Sequence, residues 1–332
     1  MTVPTTPIHG FKLGKLEAHR PNLRDFKDYF TAPLPPPPPQ AHYGGKVVAP
    51  WAMDGNGPDP SVTLPGVPAN WGGCGDCVAV GLRNFVALGD YSEGAHGPQD
   101  AIPSPNDVVS TYCSLRGVSP EQLFTDPDQY DGGMDIATVL QTWLYSPIYG
   151  VRVGGYAPVD YSDLDNVRNA LFLCGGVPVG IQLPASAEAQ FPGTWTYQPG
   201  SEILGGHCIV LTGYDTPTAM FWGVTWGKVI GISEGFLAAY LDEAYACVSA
   251  QAIQKGTGPT GLNVSLLQSD ILALNAVSPV EPPEPSPVVT PPPTPPSPPE
   301  PVPSPSAGIL RQVIEDIEKA FDDILNKLEE LA

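Results

Sequence analysis

The placement of proline constrains this chain more than any other feature of its sequence. Of 332 residues, 42 are proline, and many fall in runs. Proline fixes φ and carries no amide proton, so a segment dense in it joins neither a helix interior nor a sheet ladder. Residues 278–307, SPVEPPEPSPVVTPPPTPPSPPEPVPSPSA, are therefore expected to form an extended linker and not a core. At about 3.1 Å per residue such a linker reaches on the order of 90 Å. A second run at residues 35–39 marks residues 1–64 as an irregular, proline-rich segment. That segment either packs over a domain surface or serves as an inhibitory pro-segment.

The prolines thus divide the chain. Residues 65–255 have globular composition and form the candidate domain. Residues 256–277 read as a strand and a short docking helix. Residues 308–332 read as an amphipathic helix: Leu310, Ile314, Ile317, Phe321, Ile324, Leu328 and Leu331 recur at spacings of 4 and 3, the seam of a heptad repeat. A helix of this kind beyond a long spacer predicts a coiled coil between copies, or docking on a partner.

Charge narrows the partners. The chain carries 15 basic and 35 acidic residues, a formal net of −20. It repels nucleic acid and anionic lipid at long range, so neither is an expected partner. No stretch is apolar enough for a signal peptide or a membrane helix, which predicts a soluble chain.

Within 65–255 the coarse pattern is helices first and strands later. VAVGLRNFVALG, GGMDIATVLQTWLYS and VDYSDLDNVRNALFL read as helices; GVPVGIQL, HCIVLTGYD, FWGVTW and KVIGIS read as strands. Blocks in that order indicate an α+β fold. Cys77 stands where the glycine-rich turn GGCGD enters the first helix. A helix N-terminus favours a thiolate, and a nearby imidazole can take the proton. His207, opening a strand after two glycines, is the natural partner; His96 lies in the polar loop SEGAHGPQD. The CxxC formed by Cys74 and Cys77 also fits a metal site or a redox pair. A structural zinc needs a second ligand pair, which the sequence lacks, and the segment before the motif is a poor strand. No metal or cofactor is expected.

The blocks NWGGCGDCVAVG, SPNDVVSTYC, YDGGMDIATVLQTW, VRNALFLCGGVPVGIQL, GGHCIVLTGYD and FWGVTWGKVIGISEGFLAAYL, in this order, resemble the papain family of cysteine peptidases. The resemblance implies a two-lobed fold, one lobe helical and one a β-barrel, with a cleft between them. It implies Cys77 as nucleophile and His207 as general base, and Gly132 and Gly133 binding the backbone of an extended protein or peptide substrate. Trp226 would pack beside His207. It also implies a disulfide between Cys74 and Cys113. Two positions depart from the family pattern. Trp71, with Asn70 next to it, stands where the family has its oxyanion-hole glutamine, leaving Asn70, Trp71 and the Cys77 amide as candidate donors. Val224 stands where the family has the asparagine that orients the histidine; strand alternation is expected to turn the adjacent Thr225 away. Two functions follow: a cysteine endopeptidase, or a catalytically degenerate binding module of a virion or surface assembly, of bacterial or bacteriophage origin, oligomerised by residues 308–332.

Overall fold

A computed structural model describes residues 12–18, 20–34, 36–37, 39–42, 61–68, 73–92, 103–255 and 259–277. Asn70, Trp71, His96, the proline-rich linker and the heptad helix lie outside the described residues.

A short strand, β1 (Gln40–His42), precedes the helical part. Helix α1 (Cys77–Ser92) starts at Cys77 itself, after a turn in which Gly73 takes φ +83°, a conformation glycine adopts without steric cost. Helix α2 (Pro105–Arg116) is bounded by its own sequence. Ser104 and Asp107 form a capping box, Pro105 occupies the first turn, and Gly117 closes the helix in the left-handed conformation. Helices α3 (Pro120–Thr125) and α4 (Pro127–Tyr130) are short and lead to α5 (Ile136–Tyr145). Ile136, Val139, Leu140 and Trp143 of α5 recur at helical spacing and are all buried.

The second part holds β2 (Val153–Pro158), α6 (Leu164–Cys174), β3 (Val177–Pro184), α7 (Ala185–Gln190) and β4 (Ile203–Asp215). It continues with β5 (Met220–Thr225), β6 (Lys228–Ser233), α8 (Glu234–Tyr240), β7 (Leu241–Ser249), α9 (Ala250–Lys255) and α10 (Val264–Val277). Strands β3, β5 and β6 fall on runs read from the sequence, and β4 contains the run HCIVLTGYD but starts four residues earlier, at Ile203, so that His207 lies inside the strand. Strands β2 and β7 do not announce themselves: VGGYAP carries two glycines and a proline, and LDEAY begins with two adjacent carboxylates.

The β-barrel expected of the second lobe is not present. The sheet is open, with order β2-β7-β3-β4-β5-β6, and β1 extends the far end of β4. Its terminal strands have other neighbours. Beside β6, the Trp195 amide donates to the Gly231 carbonyl and the Ser233 amide donates to the Trp195 carbonyl, both at 2.9 Å. At β2, two glycines let helices lie directly on the strand: Gly154 meets Ala250 and Ile253, and Gly155 meets Leu267. The sheet therefore does not close β2 onto β6.

The two parts meet where α1 packs on β4. Gly81 makes this approach possible, since a Cβ there would stand 2.8 Å from the Cys208 sulfur. That contact sets the helix of Cys77 over the strand of His207.

Candidate active site

Cys77 and His207 are both buried, each about 1% exposed. The backbone amides of Cys208, the residue after His207, and of Gly14 in the N-terminal segment lie near the Cys77 sulfur and favour its thiolate. Burial nevertheless dominates and pushes the thiol up to about 11. Burial also holds His207 down, at about 3. The pair in this structure is a neutral thiol and a neutral imidazole.

The Nε2 of His207 lies 2.8 Å from the Thr225 hydroxyl, and Nδ1 has no hydrogen-bond partner among the described residues. The sequence expectation for Thr225 is overturned, and register gives the reason. Val224 pairs with Val210 across β4 and β5, which sets Thr225 opposite Ile209, two residues from His207 on the same face of the sheet. Val224 points away, into a small cluster with Ala87, Leu88 and Val210. Trp226 stacks on the His207 ring, with centroids 5.0 Å apart and planes 25° apart. Its backbone takes φ +43°, unusual for a bulky residue.

On the helical side, Asp131 fixes the turn before Cys77. Its carboxylate accepts from the Gly75 amide at 2.9 Å and from the Tyr112 hydroxyl at 2.6 Å. Tyr112 in turn accepts from the Gly133 amide at 3.1 Å. One carboxylate and one phenol thus tie the turn before Cys77 to the glycine pair. Asp76, beside Cys77, is fully buried and is pushed well above the usual carboxylate range by burial and by Asp131. Cys74 and Cys113, the pair for which the resemblance implies a disulfide, are both buried and lie near each other, unbonded in this structure, and Cys74 sits against Asp76.

Gly133 does meet a peptide backbone, and that backbone belongs to the same chain. Residues 12–16 run extended across the site. The Met134 amide donates to the Gly14 carbonyl at 2.7 Å, the Leu16 amide donates to the Met134 carbonyl at 2.9 Å, and the Lys15 amide donates to the Gly206 carbonyl at 3.2 Å. The segment is bridged to the helical part at Met134 and to β4 at Gly206. Space and conformation both call for glycine here. Gly133 takes φ +66°, and a Cβ on it would stand 2.1 Å from the Gly14 oxygen. Gly14 lies so close to Gly75 that a Cβ would overlap the Gly75 carbonyl at 1.6 Å. Gly132 instead faces the guanidinium of Arg116.

Lys15 anchors the segment. Its side chain is 0% exposed, and its ammonium lies 3.0 Å from Asp242 Oδ2 and 3.1 Å from Glu243 Oε1. It also donates to the Leu16 carbonyl at 2.9 Å. Burial lowers the lysine, but Glu243 and Asp242 more than offset this and hold it above its usual range. Asp131, Tyr112, Thr225, Lys15, Asp242 and Glu243 are the site residues that sequence reasoning did not find. Asp131, directly before the glycine pair, and Thr225, next to Val224, had positions that could have pointed to them.

No protein-family model matches the chain. No curated protein sequence matches it either. Among solved structures it is similar to xylellain, a cysteine protease from Xylella fastidiosa. The TM-score is 0.51 at 14% identity, over 75% of this chain and 100% of that one. It is also similar to procathepsin B S9 from Trypanosoma congolense, with a TM-score of 0.45 at 12% identity over 71% of this chain and 86% of that one. A cysteine protease of Carica candamarcensis gives 0.40 at 14% identity, over 64% of this chain and 98% of that one. The first of these likenesses establishes the fold: this chain has the fold of papain-like cysteine proteases.

Proposed function

We propose that this chain is a cysteine endopeptidase held closed by its own N-terminal segment. The observation that carries the reading is the occupant of the cleft. An extended peptide lies across Cys77 and His207, hydrogen-bonded through its backbone to both walls, which is how a peptidase must hold a substrate before acting on it.

In the open cleft the two groups leave the dry environment that suppresses their charges. With its Nε2–H donated to Thr225, His207 presents Nδ1 as the base. It takes the Cys77 proton, and the sulfur attacks the substrate carbonyl carbon. The oxygen gains the negative charge and is met by the Cys77 amide at the start of α1, with Asn70 or Trp71 as second donor. As the tetrahedral intermediate collapses, the C–N bond breaks and His207 returns the proton to the leaving amine. Water, deprotonated by His207, then hydrolyses the thioester and frees Cys77. Thr225 supports this cycle as a positioning residue: a hydroxyl accepts one ring proton, where valine accepts none.

The reading is tested by treating the chain, with and without residues 1–20, with iodoacetamide or an epoxide at low concentration, Cys77→Ala serving as control, and by offering a peptide library. Faster labelling of Cys77 than of an ordinary thiol, together with cleavage, is expected from the truncated chain. Ordinary reactivity and no cleavage from either form would leave the fold as a binding module.

A further inference from the structure

The buried lysine at the edge of the cleft points beyond closure, to what the open cleft selects. We infer that Asp242 and Glu243 form a side-chain subsite for a basic residue, lysine or arginine, of the peptide substrate; this rests on the endopeptidase reading above. Lys15 is the occupant of that subsite in the closed state.

The slot is built for a long cationic side chain. Its floor is Gly180 of β3: a Cβ there would stand 2.3 Å from the Lys15 Cε and 2.5 Å from the Glu243 Cγ. Only a glycine leaves room for the lysine stem. Its end is polar and supported from behind. Tyr245 donates to Glu243 Oε2 at 2.9 Å, and the Gln182 amide donates to Asp242 Oδ2. These partners hold both carboxylates in place without neutralising them. Asp242 and Glu243 follow Leu241 at the start of β7, which pairs with β3 through Gly180 and Glu243, so the slot is part of the sheet and does not leave with the segment.

Charge makes the slot selective once it is empty. Two adjacent carboxylates with little access to water repel each other and lose hydration, and each favours a nearby cation. A neutral side chain would leave both unpaired; an acidic one would add a third like charge. Lysine and arginine satisfy both and fill the length that Lys15 now fills. The lysine backbone is held at Met134 and Gly206 beside Cys77, so a substrate residue in this slot has a fixed position relative to the scissile bond.

The test uses the full chain carrying Lys15→Ala. The lysine side chain without its backbone, n-butylammonium, should raise its melting temperature by several degrees. It should do so far less in the unsubstituted chain or after Glu243→Gln is added. This also serves if Lys15→Ala folds poorly, because the amine then restores folding. For substrate, Cys77→Ala is added so that turnover plays no part, and a randomised hexapeptide library is captured on the protein. Lysine or arginine enriched at least tenfold over leucine at one fixed position is expected, with the enrichment lost in Asp242→Asn, Glu243→Gln. No response to the amine, or captured peptides without basic enrichment, overturns the subsite. The same library offered to the chain that keeps Cys77 judges the peptidase reading separately: basic enrichment without cleavage sinks that reading and leaves the slot, and cleavage indifferent to basic residues does the reverse.

Discussion

Acid should open the cleft, and His207 sets the scale of the effect. Burial holds its imidazole at about 3 in the closed chain, against about 6.5 for an exposed histidine. The closed state therefore binds fewer protons than an open one. Its stability relative to the open state is complete above about pH 6.5 and declines as pH falls from there toward 3. Between about pH 7 and pH 5 the linkage amounts to about 2 kcal/mol, which multiplies the open population ~25-fold. The charged groups around the segment act in the same sense or stay silent. Protonation of Glu243, whose carboxyl burial holds above its usual range, would loosen Lys15, whereas the Cys77 thiol, pushed up to about 11 by burial, stays protonated throughout this range. The assay is hydrogen exchange at the amides of Leu16 and Met134, which are donated across the segment. Their protection factors, corrected for the intrinsic rate at each pH, should fall ~25-fold on going from about pH 7 to pH 5. Most of that fall should vanish in His207→Gln. Equal protection at the two pH values would refute the argument, because it would mean that opening the segment does not hydrate His207.

Other substitutions probe the separate parts of the site. On the proposed peptidase reading, Thr225→Val should lower kcat of the opened chain about ten- to a hundredfold with little change in KM, and Thr225→Ser should restore most of it; steady-state kinetics on a cleaved peptide decides. Val224→Asn, by contrast, should not raise activity, and its denaturation midpoint should drop by an amount equivalent to about 1–3 kcal/mol, because the side chain is buried among Ala87, Leu88 and Val210. Gly133→Ala should lower Leu16 amide protection tenfold or more, since both its φ and the Gly14 oxygen exclude a Cβ. Asp76→Asn should stabilise the fold at neutral pH by on the order of 1–3 kcal/mol. The buried carboxyl of Asp76 titrates above its unfolded value, so its penalty is absent below about pH 4 and grows as pH rises. Urea midpoints at the two pH values should differ less in the variant than in the parent.

What the sequence made legible was local. The apolar stripe of α5 and the runs within β3 to β6 declare themselves within a dozen residues. Cys77 at a helix start belongs to that local class; His207, expected to open a strand, lies instead four residues inside β4. The lysine slot is not local. It joins Lys15 to Asp242 and Glu243 across more than two hundred positions of sequence, through a glycine in a third segment. A lysine near the N-terminus and two acids in a chain of 35 acidic residues look like ordinary solvated charges. The open sheet was illegible for a related reason: whether β2 reaches β6 depends on Trp195 and on two helices packing against glycines, not on any strand's own pattern.

Thr225 shows a different kind of failure, in which the pattern was present and was read against the wrong frame. Matching VTWG to the family's motif assigns the orienting role to position 224 and leaves valine in it. The sheet assigns the role by face. His207, Ile209 and Thr225 share one side, and Val224 shares the other with Val210, so the hydroxyl reaches the ring without any rearrangement. The cost of the exchange lies in chemistry, not in geometry. A carboxamide oxygen only accepts, and so fixes which ring nitrogen carries the proton. A hydroxyl both donates and accepts, and leaves the tautomer to the rest of the site. In the closed chain, where His207 is neutral and Cys77 protonated, nothing is lost by that freedom. In the open chain the imidazolium must be held toward the sulfur, and there Thr225 orients the ring less firmly than an asparagine would. A segment that keeps the site dry until it is needed, and a weak orienter that suffices once it is wet, are consistent with a peptidase whose output is governed by opening more than by the intrinsic reactivity of its thiol.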